Sequence, residues 1–472
     1  MSVVPPIHGN KGEASHKPDT LIKRGVTEKV IEFMLAIGKS QGEFSPGRHV
    51  RQGDLIEDKN PDLLWLPCCF NQITLFRMYN KQYPKFPLGQ TKFFILLKNE
   101  PQIQNIKIRS PRSDMCDYCE LQKRKIAGTK PHDEKKAEQL IEELHTHQTS
   151  YQEERTIYNT ERENSLKEGQ KYRAGKLEIE ECVEHIGIDY GQSIGVPSTT
   201  DQLGGTFYLQ MRNFLLFGVC SALENTQYCY TYDEREAGKG ANEVISFLHH
   251  FLATRKIQTP NIRIHADNCR GQNKNKYVMW YLIWLVATGR AKHVELKFMI
   301  KGHTHFIVDS NIGHIKRELR HSNVFCLKHW EEVINRSAVT NRAKIINGND
   351  VYDWKDGLSP YYKDFKGISR FQHFSVDCTK PGYILTKYGF DDDAWTTTKL
   401  LKLDEILTLE KFKNLPKYLD IVGFQGGKPE KEEALYKNLR QYVNNEWKDD
   451  LCPNPKTFKR PIRVYQPCPD WT

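Results

Sequence analysis

The stretch IRIHADNCRGQNKN, residues 262–275, passes from an apolar segment straight into the carboxylate of Asp267 and a polar turn. The segment 262–266 has the length and composition of a β-strand, and the apolar run that begins near residue 276 predicts a buried helix. A carboxylate at the end of a buried strand is destabilising unless a charge or a hydrogen bond compensates it. The stretch therefore predicts an α/β protein in which Asp267 has a specific partner.

Two other carboxylates follow the same pattern. Asp189 ends the apolar segment of HIGIDYGQ (185–192), and Asp309 opens a helical stretch within FMIKGHTHFIVDSNIGHIKREL (298–319). Three such carboxylates that point to one place are best explained by a divalent cation between them, and hard oxygen ligands select Mg²⁺ or Mn²⁺. Taken singly, Asp189 is equally explained as a turn residue, and Asp267 and Asp309 as helix caps.

The order of the surrounding elements brings the three acids together. Strands are predicted at 185–190, 206–210, 213–220, 262–266 and 294–300, and helices at 242–254, 276–287 and 312–319. Three strands, helix, strand, helix, strand, helix is the order of an RNase H-like fold, in which the first and fourth strands lie side by side at the sheet centre. The α/β core is placed at 181–345, with Asp189 and Asp267 as neighbours and Asp309 closing the site from the side.

Composition restricts the partners. The chain of 472 residues is long enough for several domains, and its net charge of +10 suits a polyanion such as DNA. With a mean hydropathy of -0.65 and a longest apolar run of 277–288, no membrane partner and no secretory signal are expected. The 12 cysteines show no disulfide spacing, so reduced thiols in the nucleus or cytoplasm are predicted, and the nucleus is favoured if the partner is DNA.

The N-terminal region is predicted to bind DNA. Residues 1–20 have a disordered composition, and helices are predicted at 26–38, 71–82 and 92–98 within a helical region 21–110. Two short helices joined by a Pro/Gly turn, with Arg48 and Arg51 in the preceding loop, are compatible with a helix-turn-helix. The alternative is a plain helical cap on the next domain.

A metal-binding element is predicted at 111–180. Cys116 and Cys119 form a C-x2-C pair, which is half of a zinc site. A long charged helix follows at 133–166, and its heptad pattern places His147 on the apolar face, so His147 is the preferred third ligand. Cys68 or Cys69 could supply the fourth. The alternative is a coiled-coil stalk with His147 as a polar interruption.

Several polar residues adjoin the second and third acids in sequence. Arg270, Lys274, Lys276 and Lys301 are candidates for phosphate contacts, or they belong to a solvated loop. His303 and His305 are candidate proton carriers or phosphate ligands, or they are structural. Cys269 is interpreted as a small buried residue. Residues 346–472 are predicted to be an accessory region with one more charged helix at 429–449.

Several motifs resemble a known family. They are PRSDMCDYC (111–119), HxxxxxEERTIY (147–158), DEREAGKGANEVISFLHHF (233–251), HADNCRGQNKNKYVMWYLIW (265–284), FMIKGHTHFIVDSNIGHIKR (298–317) and SRFQHFSV (369–376). In this order they resemble transposon-derived proteins of animal genomes whose core is an RNase H-like, DDE-type integrase domain. The resemblance covers roughly residues 25–465. One difference is Gly191 in Asp189-Tyr190-Gly191-Gln192, where related sequences carry Ala.

The resemblance implies a DNA transposase, or a host protein derived from one. It implies the acidic triad Asp189, Asp267 and Asp309, a contribution of Gln272, Asn273 and Lys274 near the site, and a zinc element with Cys116, Cys119 and His147. The N-terminal region would be the DNA-binding part.

The predicted activity is cleavage and transfer of DNA strands with two Mg²⁺ or Mn²⁺ ions and no organic cofactor. A nuclear homo-oligomer that binds transposon ends and target DNA is expected. The alternatives are a domesticated DNA-binding protein without catalysis and a metal-dependent nuclease in repair or RNA processing.

Overall fold

The computed structural model describes residues 24–44, 64–108, 115–129, 132–389, 394–459 and 468–470. The chain divides into two compact units, Met1–Asp114 and Met115–Thr472. The boundary that we predicted at 110 lies close to this division, whereas those at 180 and 345 do not separate compact units. The segment 1–20 and the loop residues Arg48 and Arg51 lie outside the described residues.

The first unit combines helices with a small sheet. In chain order its elements are α1 (Arg24–Gln41), β1 (Glu43–Phe44), β2 (Leu64–Leu66), α2 (Gln72–Gln82), α3 (Gln90–Asn99) and β3 (Ile106–Ile108). The rings of Phe33 and Phe93 pack on Tyr79, with centroids 5.7 and 5.5 Å apart, in a core shared by the helices. The helices match the predicted ones within a few residues, but strands of two or three residues left no periodicity from which to predict the sheet.

The second unit is an α/β structure built on a large mixed sheet. Its helices are α4 (Asp117–Thr129), α5 (Glu134–Arg173), α6 (Ala241–Thr254), α7 (Lys276–Ala287), α8 (Ile307–Leu319), α9 (Leu327–Ser337), α10 (Trp354–Leu358), α11 (Glu410–Lys413), α12 (Pro429–Ala434) and α13 (Lys448–Leu451). Its strands are β4 (Val183–Tyr190), β5 (Ile194–Val196), β6 (Arg212–Ser221), β7 (Thr226–Asp233), β8 (Asn261–Ala266), β9 (His293–Phe298), β10 (Asn341–Ile345), β11 (His373–Asp377), β12 (Tyr383–Lys387) and β13 (Thr396–Lys399).

The strand order is β10-β7-β6-β4-β8-β9-β11-β12-β13, and β5 pairs with β6. At the centre β4, β8 and β9 run parallel, and β6 lies antiparallel to both β4 and β7. The predicted α/β class is therefore confirmed. So is the predicted adjacency of the two strands that carry Asp189 and Asp267, because β4 and β8 pair directly.

Each face of the sheet has its own core. Because successive residues of a strand point to opposite faces, Ile186 and Ile188 of β4 face α6 and α7 in one large buried cluster. On the other face Tyr158 of α5, Val308 of α8 and Trp330 of α9 belong to a second cluster. Asp189 is two residues from Gly187, so it faces this second side, where α5 and α8 lie.

One of the predicted strands is wrong. Residues 206–210 form turns, and Phe207 and Tyr208 are 64% and 90% exposed. The third strand is instead β7, which follows β6 through a tight turn in which Asn225 has φ 50°. Aromatic residues gave 206–210 the composition of a strand, but strand propensity depends on a neighbour with which to pair, and the sequence does not show that neighbour.

The long charged helix extends further than predicted, to Arg173. Its heptad residues Tyr151 and Tyr158 are buried within the second unit, which favours packing inside the chain over the coiled-coil stalk. Within the described residues, no helix has the length and apolar character needed to cross a membrane.

The C-terminal region belongs to the same compact unit as the predicted core. Strands β11, β12 and β13 extend the sheet beyond β9, so the region 346–472 contributes three strands to the main sheet of the second unit. The charged helix predicted at 429–449 is helical from 429 to 442, because α12 continues into a π-helical segment (Leu435–Leu439) and a 3-10 turn (Arg440–Tyr442). It ends there, and α13 follows after a short turn.

Candidate active site and metal centre

Asp189 and Asp267 lie side by side on neighbouring parallel strands. The register pairs Ile188 of β4 with Ala266, the last residue of β8, so Asp189 in β4 lies level with Asp267, which directly follows β8. Adjacent strands are about 4.8 Å apart, so the two carboxylates lie close together on one face of the sheet, at the carboxyl ends of the parallel strands.

Asp309 reaches this edge because α8 packs unusually close to the sheet. A Cβ atom added to Gly218 would lie 2.7 Å from Cγ1 of Val308, and one added to Gly187 would lie 3.0 Å from Cγ2. Only glycine at Gly218 allows this approach without displacement of the helix. The first turn of α8, including Asp309, is therefore held against the strand that carries Asp189.

One oxygen of each carboxylate is fixed by its own loop. Asp189 accepts a hydrogen bond from its neighbour's backbone, the Tyr190 N–H (2.7 Å), and Asp309 accepts one from the Phe306 N–H (3.0 Å). Asp267 accepts hydrogen bonds from the Cys269 N–H (3.2 Å) and the Asn273 amide (2.6 Å). No described residue donates to the second oxygen of any of the three, so each carboxylate is oriented and keeps one oxygen for another ligand.

The three acids interact electrostatically. Burial raises the pKa of Asp189 from 3.8 to about 7, and the charges of Asp309 and Asp267 add to the rise. Burial also raises the pKa of Asp267, with Asp309 contributing. Lys239 acts in the opposite direction on Asp189 but does not offset the rise. A divalent cation would remove the repulsion that raises both values.

The residues around Asp267 divide into buried and exposed groups. Asn273 is 1% exposed and Lys274 is 5% exposed. Lys274 donates to Asn268 (2.8 Å) and to Gln372 (3.3 Å), and burial lowers its pKa to about 8. Both side chains therefore support the loop from inside, and the predicted contribution of Asn273 and Lys274 to nucleic-acid binding stays a prediction.

Of the other predicted contacts, Arg270 and Lys301 are exposed, and Gln272 is half-buried. Lys276 is paired with Asp364 at 2.9 Å. Cys269 is half-buried and its thiol has a raised pKa because of burial and the Asp267 charge. Arg270 and Lys301 keep the accessibility that a phosphate contact requires.

In buffer without added Mg²⁺ or Mn²⁺, Asp189→Asn is expected to stabilise the protein at pH 7.5 by about 1 kcal/mol or more. The pKa of Asp189 is higher in the folded state than in the unfolded state, so the folded protein keeps this proton to a higher pH. The free energy of unfolding of the wild type therefore falls as the pH rises from about 4 to about 7. The uncharged variant lacks this fall. Thermal unfolding at pH 5 and pH 7.5 measures the difference in stability. Asp404→Asn, the same change at an exposed carboxylate outside the site, is the matched control. An Asp189→Asn protein less stable than wild type at pH 7.5 would contradict the electrostatic interpretation.

A second group of side chains lies beside the first. The Sγ atoms of Cys116 and Cys119 and ring nitrogens of His147 and His303 all lie within 4.8 Å of one another. The distances are 3.4 Å from Cys116 Sγ to His147 Nε2, 3.5 Å from Cys119 Sγ to His303 Nε2, and 3.3 Å between the two Nε2 atoms. The structure thus brings together the three predicted zinc ligands.

These distances fit a tetrahedral zinc ion. With bonds of about 2.3 Å to sulfur and about 2.0–2.1 Å to nitrogen, the edges of a tetrahedron are about 3.6 Å between S and N and about 3.3 Å between two N atoms. Two Cys and two His is a common structural donor set. Cys68 and Cys69, considered as fourth ligands, are exposed and belong to neither metal-capable group among the described residues.

His303 was predicted as a catalytic auxiliary, and its position in this cluster was missed. The sequence offers little from which to predict His303 as a ligand. It follows Gly302 in the loop after β9, and its distance from Cys116 along the chain is not a spacing typical of zinc sites. His305 is not part of the cluster formed by the described residues. The 12 cysteines, all described, form no disulfide, as the composition predicts.

Glu161, His185 and His265 form another buried polar group between α5 and the sheet. Burial lowers the pKa of both histidines well below 6.5. Lys297 and Arg263 both pair with the Glu161 carboxylate, and two cations on one carboxylate oppose metal binding. We therefore interpret this group as a buried ion network that fastens α5 to the sheet.

Comparison with known proteins adds one match. Residues 209–390 match the family described as Domain of unknown function (DUF7869), over less than half of the 472-residue chain. The matched segment includes Asp267 and Asp309 and begins after Asp189. No curated protein and no solved structure matches the chain.

Proposed function

We propose that this chain is a DNA transposase, or a protein derived from one, that cleaves and transfers DNA strands with Mg²⁺ or Mn²⁺. The observation that carries the proposal is that half-buried Asp189, Asp267 and Asp309 lie near enough for the charges of Asp309 and Asp267 to raise the pKa of Asp189, and that each has one oriented oxygen. Among the described residues their oxygens are not one of the groups in which all ligand atoms lie within 4.8 Å of one another. Carboxylates that share a site and raise one another's pKa are typical of divalent-metal centres. Lys239 interacts with Asp189 and Arg155 with Asp309, but the pKa of Asp189 stays raised.

The sheet supports an RNase H-like core. Strands β4, β6 and β7 form an antiparallel set, and β8 and β9 add to β4 in parallel, giving the order β7-β6-β4-β8-β9. This is the arrangement in which transposases of the DDE type place two acids on adjacent central strands. The third acid then comes from a later helix, as Asp309 does.

In the proposed mechanism Asp189, Asp267 and Asp309 hold the metal ions. When bound, Mg²⁺ supplies positive charge at the attacking and leaving oxygens of the phosphodiester. The chain itself provides orientation, because backbone N–H groups and the Asn273 amide fix one oxygen of each ligand before metal arrives.

Exposed cations near the acids suit the DNA backbone. Arg270 and Lys301 are exposed, and so are Lys316, Arg317 and Arg320 on and just after α8. Lys316 donates to Gln192, three residues after Asp189, at 3.2 Å, which places a positive side chain beside the site. Together with the net charge of +10 they support DNA as the substrate, and hence a nuclear location and a homo-oligomer that pairs two DNA ends.

We further propose that Cys116, Cys119, His147 and His303 bind one structural zinc ion. The chemistry of the donor set and the tetrahedral spacing of its atoms support zinc over Mg²⁺ or Ca²⁺, which prefer oxygen.

The test of function is a cleavage and joining assay on duplexes copied from the DNA that flanks the gene. Wild-type protein is expected to nick these duplexes in Mg²⁺ and then join the new 3′ ends to a target plasmid. Cleavage without joining would instead indicate a nuclease. Specific binding without cleavage in either Mg²⁺ or Mn²⁺ would indicate a domesticated DNA-binding protein.

A further inference from the structure

We propose that the zinc centre positions Asp309, so that zinc controls metal binding at the acids without touching them. The inference rests on the proposed function only for the role of Asp309; the link between zinc and the loop that precedes α8 stands on contacts within the second unit. The loop, residues 299–306, joins β9 to α8 and carries His303 near its middle.

The zinc end of the loop is tightly packed. The His303 ring stacks on Tyr151 of α5, with centroids 3.7 Å apart and planes 7° from parallel. Gly302 has φ +83°, and an added Cβ would lie 2.7 Å from the Cα of Cys116. Glycine is therefore required for the loop to approach the C-x2-C turn.

The middle of the loop is held by α5. The guanidinium of Arg155, itself 8% exposed, donates to the backbone oxygen of His303 at 2.9 Å and also to that of His305. The Ile307 N–H, at the start of α8, donates to the hydroxyl of buried Tyr158 at 3.0 Å. Because Tyr151, Arg155 and Tyr158 lie on successive turns of one helix, α5 fixes the whole path of the loop.

The loop leads into the first turn of α8, which carries Asp309. Its carboxylate accepts from the Phe306 N–H, so the same backbone that leaves the zinc cluster orients the third acid. His147, which belongs to the cluster, is on α5 as well. Zinc would therefore join α5, the C-x2-C turn and the loop at one point, and its loss would free the loop at His303 while Asp189 and Asp267 stay in the sheet.

The experiment compares His303→Asn with His145→Asn, a matched change at an exposed histidine of α5 outside the cluster. Elemental analysis is expected to give about one zinc per chain for wild type and His145→Asn, and much less for His303→Asn. Hydrogen exchange of residues 304–309 is expected to quicken by about tenfold or more in His303→Asn, while exchange in β6 stays unchanged. Wild type stripped of zinc with a chelator should behave as the variant does.

Manganese binding, followed by electron paramagnetic resonance, gives the link to the acids. His303→Asn is expected to weaken Mn²⁺ binding by about 10- to 100-fold, the loss typical when a group that orients a ligand is removed. Asp309→Asn should lose Mn²⁺ affinity and keep zinc. If His303→Asn keeps its zinc, or loses zinc with exchange and Mn²⁺ affinity unaltered, the inference is overturned.

The two proposals fail in different ways. If wild type binds no Mn²⁺ at the acids, the proposed function fails, and zinc content and hydrogen exchange still decide whether the metal holds the loop. If exchange throughout β6 also quickens in His303→Asn, the variant is globally destabilised, and the chelator-treated wild type decides the question.

Discussion

Asp267→Asn is expected to lower Mg²⁺-dependent DNA cleavage by about a thousandfold or more. The change keeps the shape of the side chain and can still accept a hydrogen bond from the Cys269 N–H, but it removes the charge that binds the metal. Initial rates of nicking at saturating DNA measure the loss. Binding of the same DNA, followed by fluorescence anisotropy, is expected to change by less than about tenfold, because phosphate contacts supply most of the affinity.

The matched control is Asp404→Asn, the same change at an exposed carboxylate paired with Lys399 outside the site. It is expected to cleave at the wild-type rate. Wild-type cleavage by Asp267→Asn would show that this carboxylate is a helix or turn residue, as it can be interpreted in isolation.

Arg212→Met is expected to destabilise the protein by about 3–5 kcal/mol. Arg212 is 0% exposed, and its guanidinium forms a paired contact with Glu432 at 2.5 and 2.6 Å and donates to the Leu451 backbone oxygen. Methionine fills much of the volume but leaves the Glu432 carboxylate without its paired guanidinium, and it removes the cation that lies 3.9 Å from both Asp233 and Glu234. Urea unfolding measures the change.

Removal of both charges separates the ion pair from the packing. Arg212→Met combined with Glu432→Met is expected to recover most of the stability, since replacing a buried ion pair with apolar side chains is often neutral. Lys437→Met, which removes an exposed pair with Glu433, is expected to leave the free energy of unfolding unchanged. A loss below about 1 kcal/mol for the single Arg212 variant would show that the region around α12 and α13 does not depend on β6.

The central strands were predictable because their pattern is local. Apolar segments that end in Asp189 and Asp267 identify β4 and β8, and the order of elements is enough to pair them. The close approach of α8 was not predictable from the sequence. Gly187 and Gly218 leave room for Val308, and this contact is visible only in the tertiary structure. The sequence indicates that Asp309 opens a helix, and the packing of that helix decides that it reaches the other two acids.

The metal centre shows the same limit. The C-x2-C spacing predicts Cys116 and Cys119 as zinc ligands, and the heptad pattern of the long helix predicts His147. His303 is distant in sequence and shares no helical or strand period with the other ligands, so only the tertiary structure joins it to them. Burial likewise separates Lys274, which supports the loop, from Arg270, which is exposed, although the two look alike in sequence.

Anomalous diffraction from a crystal soaked in Mn²⁺ would show whether the three acids bind metal. Density from one or two Mn²⁺ ions among the carboxylates of Asp189, Asp267 and Asp309 is the expected result, and it should be missing in Asp267→Asn crystals soaked in the same way. Mn²⁺ bound elsewhere, with these three carboxylates left to protons or to protein hydrogen bonds, would contradict the account.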